Sequence, residues 1–250
     1  MNIGLYQSAS ALSALERWQE AVTQNITSSS TTGYRKQTVN FSTQLSGELA
    51  TGATGRLGQS GDGSPTVFPT VNTGTSFTGG ETLPTHRDLD VAFQGPGFFE
   101  VKMTDGSKAY TRSGEFKLSP DRTLVTSGGQ QVMTEGGTPI TLLPGEGSLV
   151  INRDGSVVQG TTSLGKLSVQ NFSDPSKLKP IAGGYFLAGP GLEPVPVDKP
   201  DLMQGYLESS NVAPLREMVD MVLISRAYDA NQKIITTFDQ TMQKTLDALG

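Results

Sequence analysis

From Gly205 to Gly250 the chain reads GYLESSNVAPLREMVDMVLISRAYDANQKIITTFDQTMQKTLDALG, with neither Pro nor Gly between Pro214 and the final Gly250. Asn211 stands where an N-cap would accept a backbone N–H, and Pro214 suits the first helical turn, whose N–H groups have no intrahelical acceptor. The spacing predicts one long helix. Met218, Met221, Ile224, Tyr228, Asn231, Ile235, Phe238, Met242, Leu246 and Leu249 recur at steps of three and four, the seam of a coiled coil. At about 1.5 Å per residue this helix would be about 55 Å long, more than a compact domain of this size needs. Such a seam requires a second helix.

The first thirty residues supply one. Leu5, Leu12, Leu15, Trp18, Val22 and Ile26 keep a similar spacing, with Ser8 and Gln19 at intermediate seam positions. Ser28 to Gly33 then end the helix with residues that favour turns and a Gly that tolerates positive φ. The plainer reading of both stripes is an intramolecular hairpin covering a globular core. The length of the C-terminal helix, its regularity and the adaptable Met218, Met221 and Met242 point instead to contacts beyond one chain. Asn231 on the seam would fix register, while Arg226, Asp229 and Lys233 lie off it.

Between the ends the period changes. Residues 46–85 are crowded with Gly, Ser and Thr and have no clear apolar period, which reads as a flexible loop or as an arm that orders on a neighbour; Val67, Phe68, Val71 and Phe77 would give such an arm something to bury. From His86 onward, alternation of period two takes over at Leu89, Val91 and Phe93, and Asp105-Gly106 and Asp154-Gly155 are hairpin signals. No crossover helix of about 20 residues is visible, which speaks against a parallel βαβ sheet. Gly189-Pro190-Gly191 and the Pro-rich run to Pro200 read as a return linker.

The fold class expected is α+β, with an all-β central domain inserted between N- and C-terminal helices that pair as a coiled coil. Its divisions are an N-terminal helical segment over 1–35, an extended linker or arm over 36–85, the β domain over 86–200 and a C-terminal helical segment over 201–250.

Chemistry is not legible. With no Cys there are neither disulfides nor thiolate metal sites, and a net charge of −5 speaks against a nucleic-acid partner. Nothing resembles a membrane span, and Met1 to Tyr6 lacks the basic start and apolar run of a secretory signal. His86 has no nearby ligand partner in sequence, and Asp88 and Asp90 read as solvent-facing alternates to Leu89 and Val91. Ser163-Leu164-Gly165-Lys166 has an acylating-enzyme spacing without its companion motifs, and no glycine cluster lies between a strand and a helix. The expectation is therefore no catalytic, cofactor or metal site, and no small-molecule substrate.

Three groups of residues carry a resemblance. Gly205-x-Leu207-Glu208-x-Ser210-Asn211-Val212 continues into Glu217-Met218-Val219-x-Met221 and Arg226-Ala227-Tyr228-x-Ala230-Asn231-x-Lys233. Asn25-Ile26 precedes Thr32-Gly33-Tyr34-Arg35, and the centre holds Leu89-Asp90-Val91-Ala92-Phe93-Gln94-Gly95-x-Gly97-Phe98-Phe99 with Tyr110-Thr111-Arg112-x-Gly114-x-Phe116. Together they resemble the flagellar axial proteins: rod, hook and hook-associated subunits. Ser28 and Ser225 depart from that pattern, which usually has Asn and Gln there.

The resemblance implies a non-enzymatic subunit of the basal-body rod that polymerises through its terminal helices into a drive shaft, with a hook-type subunit as the alternative and a secreted β-rich binding module as a remoter one. Expected partners are itself, other rod and hook subunits, and the flagellar type III export apparatus; expected location is the basal body, in the periplasmic or envelope-spanning rod. Subunit contacts are expected at Leu12, Leu15, Val22, Asn25, Ile26, Thr32, Gly33 and Tyr34, and at Leu207, Glu208, Ser210, Asn211 and Val212. On the long helix they are expected at Met218, Met221, Arg226, Tyr228, Asn231, Ile235, Phe238 and Met242.

Overall fold

The computed structural model describes residues 3–45, 67–145 and 147–248, and the part of the expected loop or arm at 46–66 lies outside them. The architecture is α+β, a helix at each end and strands between. Two compact units divide the chain. One comprises Met1–Thr27, Gln37–Gly74 and Ala213–Gly250, the other Ser28–Lys36 and Thr75–Val212.

In the first unit, helix α1 spans Ile3–Thr27 and helix α2 spans Pro214–Asp247. Pro214 opens α2 as its composition requires, but the cap is Ala213, whose carbonyl accepts from the N–H groups of Arg216 and Glu217. Asn211 stands too far upstream to cap and is used elsewhere. Leu15, Val22 and Ile224 form the buried contact between the helices, flanked by Trp18, Ile26, Met221, Ala227 and Tyr228. Each such side chain removed from water contributes about 1.5–3 kcal/mol. Asn25 meets Glu217 while Gln19 lines a small groove with Ser225 and Tyr228, so the helices run antiparallel.

The seam on α2 differs from its sequence reading at both ends. Glu217, 1% exposed, occupies the inward position, and Met218 beside it points to solvent. Phe238 and Met242 are exposed as well. Strands Gln37–Leu45 and Val67–Thr75 pair as a two-stranded ribbon in this unit, where Phe41 packs edge-on against Trp18 at 5.5 Å.

The second unit is β-rich and its paired strands are antiparallel. Strand Phe98–Lys102 is its centre, pairing with Lys108–Thr111, Gln131–Val132 and Val169–Asn171 in a sheet of nine strands. Both Asp-Gly signals are hairpin turns, with Gly106 at φ +84 and Gly155 at φ +85. Asp105 and Asp154 accept from Ser107 and Ser156 two residues on, which closes each turn and holds both carboxyls below the usual range. Val91, Phe99, Val101, Leu124, Ile140, Val157 and Leu167 are the core, and a second cluster joins Phe98, Tyr110, Phe172 and Phe186.

Three expectations are corrected here. The described part of the 46–85 stretch, expected to be a flexible loop or an arm that orders on a neighbour, contains the strands Val67–Thr75 and Thr82–Pro84 within this chain, because pairing to other strands supplies the order that local pattern lacks. The Pro-rich return linker contributes Val195–Pro196 to the large sheet, and Leu202–Gln204 and Tyr206–Glu208, inside the expected C-terminal helical segment 201–250, are strands. Asp90 is fully buried, not solvent-facing; Arg87 holds its carboxylate through two bonds of 2.8 Å.

Candidate functional site: a buried carboxylate node and an exposed helix face

The strand Tyr206–Glu208 pairs with Thr82–Pro84 and buries Glu208, which is 3% exposed. An ionised carboxylate there demands cations and N–H donors. Arg35 Nη2 donates to Oε1 at 2.7 Å, Gly80 N–H to the same oxygen at 2.9 Å, and Arg112 Nε to Oε2 at 3.0 Å. Burial alone would raise the Glu208 carboxyl, but Arg112 and Arg35 outweigh it and hold it below the ordinary glutamate value. Arg112 is fixed in turn by the carbonyls of Gly95 and Gly97 and lies 4.6 Å from the Phe93 ring centre. Burial draws its pKa down, against the pull of Glu208.

The same node collects the other motifs. Gly33, at φ +67, donates to the Glu208 carbonyl, and a Cβ there would come within 2.4 Å of Ser113 N. Thr32 Oγ1 meets Ser113 Oγ at 2.7 Å, and Tyr34, Leu207 and Val212 are buried. Asn211 Oδ1 accepts from Lys36 N–H while its Nδ2 donates to the carbonyls of Ser76 and Thr78, so it ties down loops instead of capping a helix. Ser210 Oγ accepts from Val212 N–H. Thus Thr32 to Arg35, Tyr110 to Gly114 and Leu207 to Val212 converge on one place.

In the helical unit, Leu15, Val22, Met221, Tyr228 and Ile26 lie together, with Leu12 and Ile235 half-buried. Asn25 donates to Glu217 Oε2 at 2.9 Å and exchanges two bonds with the Gln37 backbone. Asn231 turns its amide back onto the Ala227 carbonyl of its own helix. Met218, Arg226, Phe238 and Met242 remain exposed. Beside them Leu215, Val219 and Val222 are 80%, 59% and 52% exposed, an apolar strip along the first turns of α2.

Sequence reasoning did not single out Arg35, Arg112 or Glu217 as site residues. A lone Glu in a strand of otherwise apolar reading was the available signal, since a buried carboxylate obliges the fold to provide arginines. His86 is exposed, with φ 57, and among the described residues no group of three or more acidic or His side chains is placed to hold a metal ion. No described helix is long and apolar enough to cross a membrane.

Buried polar links that lock the fold, and an apolar helix face left in water, define a structural assembly protein. Comparison places it further. Residues 203–248 match the model described as flagellar basal body rod FlgEFG protein C-terminal, and residues 92–159 the flagellar hook protein FlgE/F/G D1 domain. The chain is 30% identical over 252 residues to the flagellar basal-body rod protein FlgF of Caulobacter vibrioides, covering 100% of this chain and 99% of the relative. It is 34% identical over 261 residues to FlgG of Borreliella burgdorferi, 95% of each, and 37% identical over 190 residues to FlgG of a Buchnera aphidicola strain, 70% of each. The chain belongs to the flagellar rod and hook protein family.

Proposed function

We infer that this chain is a structural subunit of the bacterial flagellar basal-body rod, situated in the basal body and assembling with other rod and hook subunits. The exposed apolar strip Leu215, Met218, Val219 and Val222 carries the reading, because a face of this kind on a helix is unfavourable in water and is relieved by packing on another subunit. Rod assignment is supported by the names of the relatives matched over most of their length. A hook-type subunit is the alternative within the family.

In the assembly, α1 and α2 would form coiled-coil layers around the axis, the two halves of an axial domain, and the β-rich residues 86–200 an outer layer. Head-to-tail contacts that do not close into a ring would extend the tube. Met218, Arg226, Phe238 and Met242 are the sites facing neighbours, whereas the buried motif residues shape the subunit that presents them. Transmitting torque requires repeated apolar contacts rather than an active site, so the protein is read as non-enzymatic. Passage through the flagellar type III export apparatus suits a chain without Cys.

Electron cryotomography of a deletion strain tests this. The account expects basal bodies with truncated or missing rods and no hook, restored by the full chain and not by one ending before Val212. Normal rods and hooks in the deletion strain would contradict it.

A further inference from the structure

We propose that Met218 is a peroxide-oxidation site at which a single oxygen atom switches off the exposed face of α2. The oxidation stands on exposure and chemistry alone; the switching rests on the reading of that face as an assembly surface.

Sulfur chemistry narrows the choice. The chain holds seven Met and no Cys, so thioethers are its only sulfur and no thiol intercepts an oxidant first. The fold then ranks the described thioethers. Met133 is 6% exposed and Met103, Met203 and Met221 are half-buried, whereas Met218 is 50% exposed. Met242, toward the far end of α2, is open to a similar degree. Its neighbours distinguish Met218. Leu215, Met218, Val219 and Val222 recur at i, i+3, i+4 and i+7, which puts them on one side of the helix, and all four are exposed. Glu217 and Ile224, on the opposite side, are buried.

Hydrogen peroxide is the oxidant. Its O–O bond breaks as one oxygen bonds to Met218 Sδ; the thioether gives up two electrons and the peroxide is reduced to water. The product is a sulfoxide, a polar acceptor standing where a soft apolar group stood. Burying that oxygen against another subunit without a donor is unfavourable, while in water it is solvated. Oxidation therefore acts against docking rather than against folding, and a thiol-dependent sulfoxide reductase restores the thioether.

Two measurements test the two halves. The purified full chain is treated with hydrogen peroxide and followed by peptide mass spectrometry. Met218 should be converted roughly tenfold faster than Met133, and the two rates should converge in urea. Equal rates in the folded chain would overturn the proposal. Hook–basal bodies are then purified from cells producing the wild-type chain, Met218→Gln or Met218→Leu. Glutamine sets a polar group of similar length at the position, whereas leucine keeps it apolar and removes the sulfur. Met218→Gln should melt like the wild type yet be recovered in the particles roughly tenfold less than Met218→Leu. Equal recovery of the two variants would overturn the switch. Absence of the wild-type chain from the particles would instead refute the rod reading, and the peroxide rates would still decide the oxidation site.

Discussion

Asn25 Nδ2 donates to Glu217 Oε2 at 2.9 Å, joining the N-terminal helix to the first turn of the C-terminal one across almost the whole chain. Both residues are buried, and Asn25 also satisfies the N–H and the carbonyl of Gln37, so a single amide holds two helices and the start of the ribbon. Its replacement should be felt by all three.

Asn25→Ala should lower the stability of the helical unit by on the order of 3 kcal/mol, since it removes one bond to the buried Glu217 and two to the part-buried Gln37 backbone. Asn25→Asp should be worse at neutral pH, because it sets a carboxylate against Glu217. Thermal unfolding followed by helical circular dichroism checks both, and an Asn25→Ala protein that melts like the wild type would refute the assignment.

Glu208→Gln removes the carboxylate between the buried guanidiniums of Arg35 and Arg112. Breaking such a pair from one side costs about 3–5 kcal/mol, far more than the loss of an exposed ion pair. Urea unfolding monitored by the near-ultraviolet signal of the β-rich unit, which holds most of the Tyr residues, should show the drop. Arg112→Lys should fall short of rescue, since an ammonium cannot reach Glu208, Gly95 and Gly97 together.

The same carboxylate sets an acid limit. Its folded pKa lies below the unfolded value, about 4.3 for Glu, so its contribution is complete above that pH and is lost as pH falls through the folded pKa. Stability should decline on acidification below about 4.3, and Glu208→Gln should flatten that decline relative to wild type. Equal slopes for the two proteins would show that Glu208 is not the group responsible.

Gly33→Ala and Gly106→Ala separate two reasons for glycine. Both have positive φ, but a Cβ on Gly33 meets Ser113 backbone at 2.4 Å, while one on Gly106 meets nothing within 4 Å. Gly106→Ala should cost about 1 kcal/mol from conformation alone, and Gly33→Ala clearly more, because backbone must move as well. Matching melting temperatures for the two variants would remove the close approach as the cause.

How much of this was legible in the sequence depends on the range of the interactions. Helix α2 was readable because Met221, Ile224 and Tyr228 repeat locally, and the Asp-Gly turns because their chemistry is local too. Thr82–Pro84 reads locally as part of a loop or arm because its order comes from Tyr206–Glu208, a partner more than a hundred residues away. Asp90 was misplaced for the same reason: alternation sets which face a residue takes, but not whether that face is covered. Glu217 displaced Met218 from the inward position because Asn25 offers it a buried partner that apolar periodicity does not register.

The central claim is that this chain is built into the rod through the apolar face of α2. Quantitative mass spectrometry of purified hook–basal bodies, from cells expressing the wild-type chain or a Val219→Asp/Val222→Asp double variant, tests it most directly. Both side chains are exposed, so the variant should fold with stability within about 0.5 kcal/mol per site of wild type. The account predicts stoichiometric wild-type chain in the particles, and for the variant a folded protein that is missing from them, with neither hook nor filament formed. Absence of the wild-type chain, or incorporation of the variant at wild-type levels, would contradict it.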